Sequence, residues 1–222
     1  MPCRRSMRSA EGIGTDLGPQ AKIAPSCGAP TLGAMKTSAI PGLSVRRSAH
    51  NHREQGVMLA LLAAAALILA AVIGPDAAGG VAALPCALGL LLVFEARREL
   101  RLGRRYRVGA VSEERVGSRL WALEARGWLV AHDVAKAGDG NVDHLVHSPA
   151  VTFVVETKTS CPRERDIEQA RRQAQWAVAT YGPGREVIAV LCVQRSKDRP
   201  RLAAGVYVVG APHLLDFMLD RG

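Results

Sequence analysis

Residues 140–158 read GNVDHLVHSPAVTFVVETK, two apolar stretches separated by Ser148-Pro149. Val142–His147 and Val151–Lys158 are predicted to be strands, the break supplied by a proline that cannot continue a ladder. Val151, Phe153, Val154 and Val155 make the second strand apolar on both faces, the pattern of a strand inside a sheet. Side chains alternate along a strand, so Glu156 and Lys158 share one face and Thr157 takes the other. If the two strands pair, Asp143 approaches Glu156. Two carboxylates at that distance repel unless a cation lies between them, and Mg²⁺ is held well by one or two carboxylates that leave it several waters. Such a metal activates water and neutralises charge on a phosphodiester, while the Lys158 ammonium orients the water or stabilises the anion.

Outward from this centre the texture is that of an α/β domain. Ser112–Arg126 has Val116, Leu120 and Leu123 on one helical face and ends at Gly127. Trp128–Val134 reads as a strand, and residues 137–141 (AGDGN) as a turn. Arg163–Tyr181 is a long helix stopped by Gly182-Pro183-Gly184, followed by strands at Val187–Val193 and Gly205–Val209 and a helix at Pro212–Leu219. The expected order is α-β-β-β-α-β-β-α. On the long helix, Gln173 lies four residues from Gln169 and shares its face. The charges of Arg163, Arg165, Arg171 and Arg172 interleave with Glu164, Asp166 and Glu168, which reads as a salt-bridged solvated face.

Upstream, Val57–Ile73 (VMLALLAAAALILAAVI) is continuously apolar and long enough at helical rise to cross most of a bilayer's hydrocarbon core. Gly74-Pro75-Asp76 ends it, and a second apolar run reaches Phe94. The expectation is a transmembrane helical hairpin at residues 55–96, with spans at about 57–73 and 78–94. A disordered basic arm is expected at 1–54, because Gly, Pro, Ser and Arg there show no apolar periodicity. A basic juxtamembrane linker is expected at 97–107, and the soluble domain at 108–222.

The 222-residue chain has a formal net charge of +9, and its distribution matters more than its size. Residues 1–54 carry eight Lys/Arg against three acids, residues 95–107 six Arg against two, and residues 108–222 fifteen against fourteen. The basicity therefore flanks the apolar runs. By the positive-inside rule this predicts a multi-pass protein of the cell membrane, with the N-terminus and the C-terminal domain on the cytoplasmic side. The five cysteines form no CxxC pair and no Cys/His cluster, unlike a structural zinc site or a disulfide scaffold.

These residues resemble the nuclease-related domain, NERD, within the PD-(D/E)xK restriction-endonuclease-like superfamily. Gly109-Ala110-Val111-Ser112-Glu113 is similar to that family's GAxGE segment, with Ser112 in place of the second glycine. Gly140-Asn141-Val142-Asp143-His144 matches its G-N-x-D-H segment, Glu156-Thr157-Lys158 its E-T-K, and Gln169 with Arg171-Arg172-Gln173-Ala174 its second helix. The resemblance implies a restriction-endonuclease-like core, α-β-β-β-α-β, with a central mixed sheet flanked by helices. It implies Asp143 and Glu156 as metal ligands for Mg²⁺ or Mn²⁺, Lys158 as the catalytic lysine, and Glu113 and Gln169 as further site residues. The function implied is that of a membrane-anchored, metal-dependent nuclease hydrolysing DNA at the cytoplasmic face. The alternative is a membrane-tethered nucleic-acid-binding or regulatory module of the same fold without relevant turnover, consistent with the near-neutral charge of residues 108–222.

Overall fold

The computed structural model describes residues 40–74, 82–135, 140–181 and 184–222. Two long helices, α1 (Leu43–Ile73) and α2 (Ala83–Glu124), precede a mixed sheet. Its strands are β1 (Leu129–Ala135), β2 (Asn141–His147), β3 (Val151–Lys158), β4 (Glu186–Val193), β5 (Arg201–Ala203) and β6 (Val206–Gly210), with α3 (Glu164–Tyr181) between β3 and β4 and α4 (Leu214–Leu219) at the end. The spatial order is β1-β2-β3-β4-β6-β5. β1, β2 and β3 are antiparallel neighbours, β3, β4 and β6 run parallel, and β5 returns antiparallel to β6. The α/β expectation and the central place of β3 hold.

Each face of the sheet buries a separate core. Val116, Leu120 and Leu123 of α2 pack with Phe153 and Val155 of β3 and with Phe217 and Met218 of α4 on one side. On the other, Ile167, Ala170 and Ala177 of α3 cover Leu145, Val154, Ala189 and Leu191. The alternation of β3 thus sends Phe153 and Val155 toward α2, and Val154, Glu156 and Lys158 toward α3.

Three boundaries differ from the expected ones. The linker at 97–107 is the middle of α2, which runs unbroken from the second apolar run into the soluble domain. Its Arg- and Glu-rich composition has high helix propensity, and Pro85 falls in the first turn, where its missing N–H costs nothing. The basic arm expected at 1–54 is helical from Leu43 onward, while residues 1–39 lie outside the described residues. The third difference is β5, a three-residue edge strand absent from the expected order. It pairs with β6 across Ala204-Gly205, both at positive φ (48° and 79°), the geometry of a two-residue type I′ turn. Alanine at the first turn position hides that hairpin from sequence reading.

The helical extension of α1 has a packing cause. Gly42 at the cap of α1 and Ala49, Gly56 and Ala63 within it recur every seventh residue, as do Gly89, Ala96, Gly103, Ala110 and Gly117 on α2. The five on α2 are all buried. A strict seven-residue repeat keeps one seam facing its partner, and small residues let the backbones come close. A Cβ at Gly103 would lie 3.2 Å from the carbonyl oxygen of Ala49, and one at Gly117 2.6 Å from the Pro41 ring. Small residues carry little hydropathy, so this seam leaves no apolar periodicity. His52 strengthens it, with Nδ1 2.6 Å from Glu99 Oε2 and its ring stacked on Tyr106.

Among the described residues one helix, α1, is long and apolar enough to cross a membrane, and only 11% of its apolar window is buried. A core helix of a soluble protein would be mostly covered. The expected second span is not shown: its start at 78–81 lies outside the described residues, and the first eighteen residues of α2 already include Glu95, Arg97, Arg98 and Glu99.

Candidate active site

The register of β2 against β3 pairs His144 with Val155, which brings Asp143 beside Glu156 as the strand reading required. Asp143 Oδ2 accepts a hydrogen bond from the Thr157 backbone N–H at 2.7 Å, so the carboxylate is tied to the backbone of the strand that carries Glu156 and Lys158. Glu156 is 2% exposed, a burial that a carboxylate tolerates only when its oxygens are engaged. They are: Lys158 Nζ (2.6 Å) and Gln169 Nε2 (2.7 Å) donate to Oε1, and Gln173 Nε2 (2.7 Å) donates to Oε2. Lys158 Nζ also donates to Gln169 Oε1 at 3.2 Å. The two glutamines, one turn apart on α3, therefore face the E-T-K end of β3.

Glu113 enters from α2, the element that also carries the arginines of the former linker. It feels the charges of Glu156 and Asp133, and burial with those two neighbours pushes its carboxyl up to about 7, against the pull of Lys158. Asp143 is raised well above the usual carboxylate range, first by burial and then by Glu156 and Glu113. Burial opposes charge on Lys158, but Glu156, Asp143 and Asp166 outweigh it and raise the ammonium above its ordinary value. Of the five residues singled out from the sequence, Glu113, Asp143, Glu156 and Lys158 thus feel one another's charge, and Gln169 is hydrogen-bonded to Glu156 and Lys158.

Three contributors were undervalued or missed in the sequence. The sequence sets Gln173 on the face of Gln169 without pointing to a role; it is 1% exposed and bridges Glu156 Oε2 to the Asn141 carbonyl. Asp133, at φ 51°, sits in the left-handed region. Its Oδ1 accepts from Ser44 Oγ (2.8 Å) and Asn141 Nδ2 (2.7 Å), and its Oδ2 from the Ser44 backbone N–H (3.0 Å). Ser44 is the third, and it pins the start of α1 beside the site, 89 residues away in sequence. Only a residue tolerant of positive φ, such as Asp, signals Asp133 in advance. Nothing local signals Ser44.

His144 lies on the opposite face of β2 from Asp143, where its Nδ1 is 2.8 Å from His132 Nδ1. Both rings are buried, and burial lowers both imidazoles, so the pair packs under α2 as neutral side chains. On the outer face of α3, Glu168 holds Arg171 through two 3.0 Å hydrogen bonds, the salt-bridged surface expected there.

Among the described residues no three His, Cys, Asp or Glu side chains converge into a cation site, and the Glu156 oxygens face amide and ammonium donors. The chemistry of the donor set nevertheless fits a hard divalent cation. Its oxygens come from carboxylates, and two of them, Glu113 and Asp143, are raised first by burial and then by the charge of Glu156, a repulsion that a cation relieves. The buried Gln173 Oε1 also lacks a hydrogen-bond partner, leaving an oxygen donor for a water or an ion. Asp143 and Glu156 are the residues that could hold it.

No curated protein and no solved structure gives a significant match to the chain. Residues 108–193, from the middle of α2 to the end of β4 and so including Glu113, Asp143, Glu156, Lys158, Gln169 and Gln173, match the model of one family: NERD, nuclease-related domain.

Proposed function

We propose that this chain is a membrane-anchored, metal-dependent nuclease that hydrolyses DNA phosphodiesters. The observation that carries the reading is the buried Glu156 held by Lys158, Gln169 and Gln173, with Asp143 and Glu113 coupled to it. Lys158 within reach of a buried carboxylate has no packing purpose, and a charged group so placed needs a partner or a task. A bound Mg²⁺ or Mn²⁺ would supply an activated water and a counter-charge for the scissile phosphate. Asp143 and Glu156 would hold it. Lys158 positions a positive charge where the pentavalent phosphate gains negative charge, and Gln169 orients Lys158 and Glu156 together. Glu113, raised to about 7, is poised to take or release a proton near neutral pH.

The anchor reading rests on the long apolar helix and on exposed Leu61, Leu62, Ile68, Leu69 and Val72 of α1 beside exposed Leu84, Leu88, Leu90, Leu91 and Phe94 of α2. With two spans, the basic residues at 46–53 and 97–107 would sit on the cytoplasmic side and leave the domain there.

A second reading, a tethered module without turnover, is favoured by the full engagement of the Glu156 oxygens and by the near-neutral charge of residues 108–222. The deciding experiment is cleavage of plasmid and linear DNA by the purified full chain with Mg²⁺ or Mn²⁺, beside Asp143→Ala and Lys158→Ala. Cleavage lost in both variants supports the nuclease. Cleavage unchanged by either substitution identifies a contaminant, and a wild type that binds metal without cleaving favours the module.

A further inference from the structure

The near-neutral domain poses a problem for any protein that grips a polyanion, because phosphate contacts through Lys and Arg dominate such affinity. The charge lies elsewhere. Where α1 and α2 run side by side below the apolar segments, a cavity of about 650 Å³ opens between them. Arg46, His50 and Arg53 line it from α1, and Gly103, Arg104 and Arg107 from α2. Arg46 reaches Glu114. Among the described residues no ion pair is formed by Arg53, Arg104 or Arg107.

We propose that this arginine groove is a binding track for the phosphodiester backbone of DNA, supplying the phosphate contacts that the neutral nuclease domain lacks. The proposal rests on the nuclease reading of residues 108–193. Its geometry follows from helix continuity: α2 carries Arg104 and Arg107 in the same unbroken rod as Glu113, and α1 carries Arg46 two residues from Ser44, which is bonded to Asp133. The groove and the site are thus parts of one rigid scaffold. Along α2 the lining extends from Leu100 to Val111, about 16 Å at helical rise, the length of about five nucleotides of one strand.

Lipid headgroups are the competing anions, and distance argues against them. Arg46 lies eleven residues before Val57, Arg104 ten residues after Phe94 and Arg107 thirteen after it. These separations correspond to about 15–20 Å beyond the apolar runs, whereas the headgroup layer is about 5–8 Å deep on each side. Only Arg53, four residues from Val57, falls within that layer. The remainder of the groove faces water, where a nucleic acid can reach it.

The test measures binding of a labelled DNA duplex to the full chain in zwitterionic nanodiscs, with EDTA present so that turnover plays no part. The triple variant Arg53→Gln, Arg104→Gln, Arg107→Gln is expected to lose about 10- to 100-fold in affinity at ~0.15 M salt, and the slope of log K against log salt to fall by about 3. Lysine at the same three positions should restore binding, because counterion release follows charge, and this also controls for folding. Unchanged affinity in the glutamine variant overturns the proposal. So does an equal loss in Arg98→Gln, Arg101→Gln, Arg105→Gln, which would show that net charge alone binds. A groove variant that loses only co-purifying anionic phospholipid, with DNA affinity intact, makes it a lipid site and overturns the proposal as well. A wild type that binds through the groove but does not cleave with Mg²⁺ would sink the nuclease reading alone.

Discussion

Gln173 Nε2 lies 2.7 Å from Glu156 Oε2, a contact between the middle of α3 and the end of β3 that closes the buried side of the site. The same amide nitrogen donates to the Asn141 carbonyl at 3.2 Å, so one side chain ties together the two strands that carry Asp143 and Glu156. Gln173→Ala leaves a buried carboxylate oxygen without a donor, at a cost of about 1–3 kcal/mol of stability. Because such partners orient a site rather than react, DNA cleavage should fall by about 10- to 100-fold. Thermal unfolding and initial cleavage rates check the two halves.

Metal binding should be visible without turnover. Raised carboxylates that repel one another in the metal-free chain are stabilised by a divalent cation, so Mg²⁺ at about 100 times its dissociation constant should add about 2.7 kcal/mol of stability. Asp143→Asn is expected to remove most of that gain. A melting temperature equally responsive to Mg²⁺ in wild type and variant would place the cation elsewhere.

Lys158→Ala is expected to lower cleavage by about 10²- to 10³-fold, the usual loss when one stabilising group of a developing anion is removed. It also strips a buried carboxylate of its ammonium, leaving Glu156 to two amide donors. Initial rates of plasmid cleavage with Mg²⁺, compared between the variant and wild type, check the loss.

The pH dependence of stability has two opposing parts. Glu113 is raised in the fold from 4.5 to about 7, so the folded chain binds more protons than the unfolded one between those values. Its contribution is fully present below about 4.5 and is lost as pH rises through about 7. His132, His144 and His147 are lowered below 6.5, so the folded chain binds fewer protons there, and their contribution is lost as pH falls. Comparing Glu113→Gln with wild type in EDTA isolates the first part. The difference in stability between the two should shift in favour of the variant as pH rises from 5 to 8, by on the order of 1–3 kcal/mol.

Asp133 links α1 to the candidate site through Ser44 and Asn141. Asp133→Ala removes three hydrogen bonds and places a less tolerant residue at φ 51°, for an expected cost of about 2–4 kcal/mol. Hydrogen exchange should accelerate at the first turns of α1, residues 43–47, more than in β3. Equal acceleration in both would mean the whole domain had been loosened instead.

The sheet was legible in the chain because its signals are local. β3 declares itself by apolar residues on both faces, β2 by its apolar residues before the Ser148-Pro149 break, and α3 by its length and its Gly-Pro-Gly stop. Once β2 and β3 are taken to pair, strand alternation lets Asp143 approach Glu156, and the register of the folded sheet sets them side by side. The amphipathic stretch at 112–126 was legible too, as the last turns of a helix whose beginning was not.

What only the tertiary structure decided depends on contacts between residues far apart or chemically plain. The seam of Gly and Ala that joins α1 to α2 has the right period but almost no hydropathy, so residues 43–54 looked featureless and residues 97–107 looked like a linker. Ser44 and Asp133 meet across 89 residues, a closure no local pattern encodes. Residue types and strand alternation thus determined which groups could do chemistry. Long-range packing of two helices decided that Arg46 and Arg53 of α1 line one groove with Arg104 and Arg107 of α2, because close backbone approach is a property of the pair and not of either sequence alone.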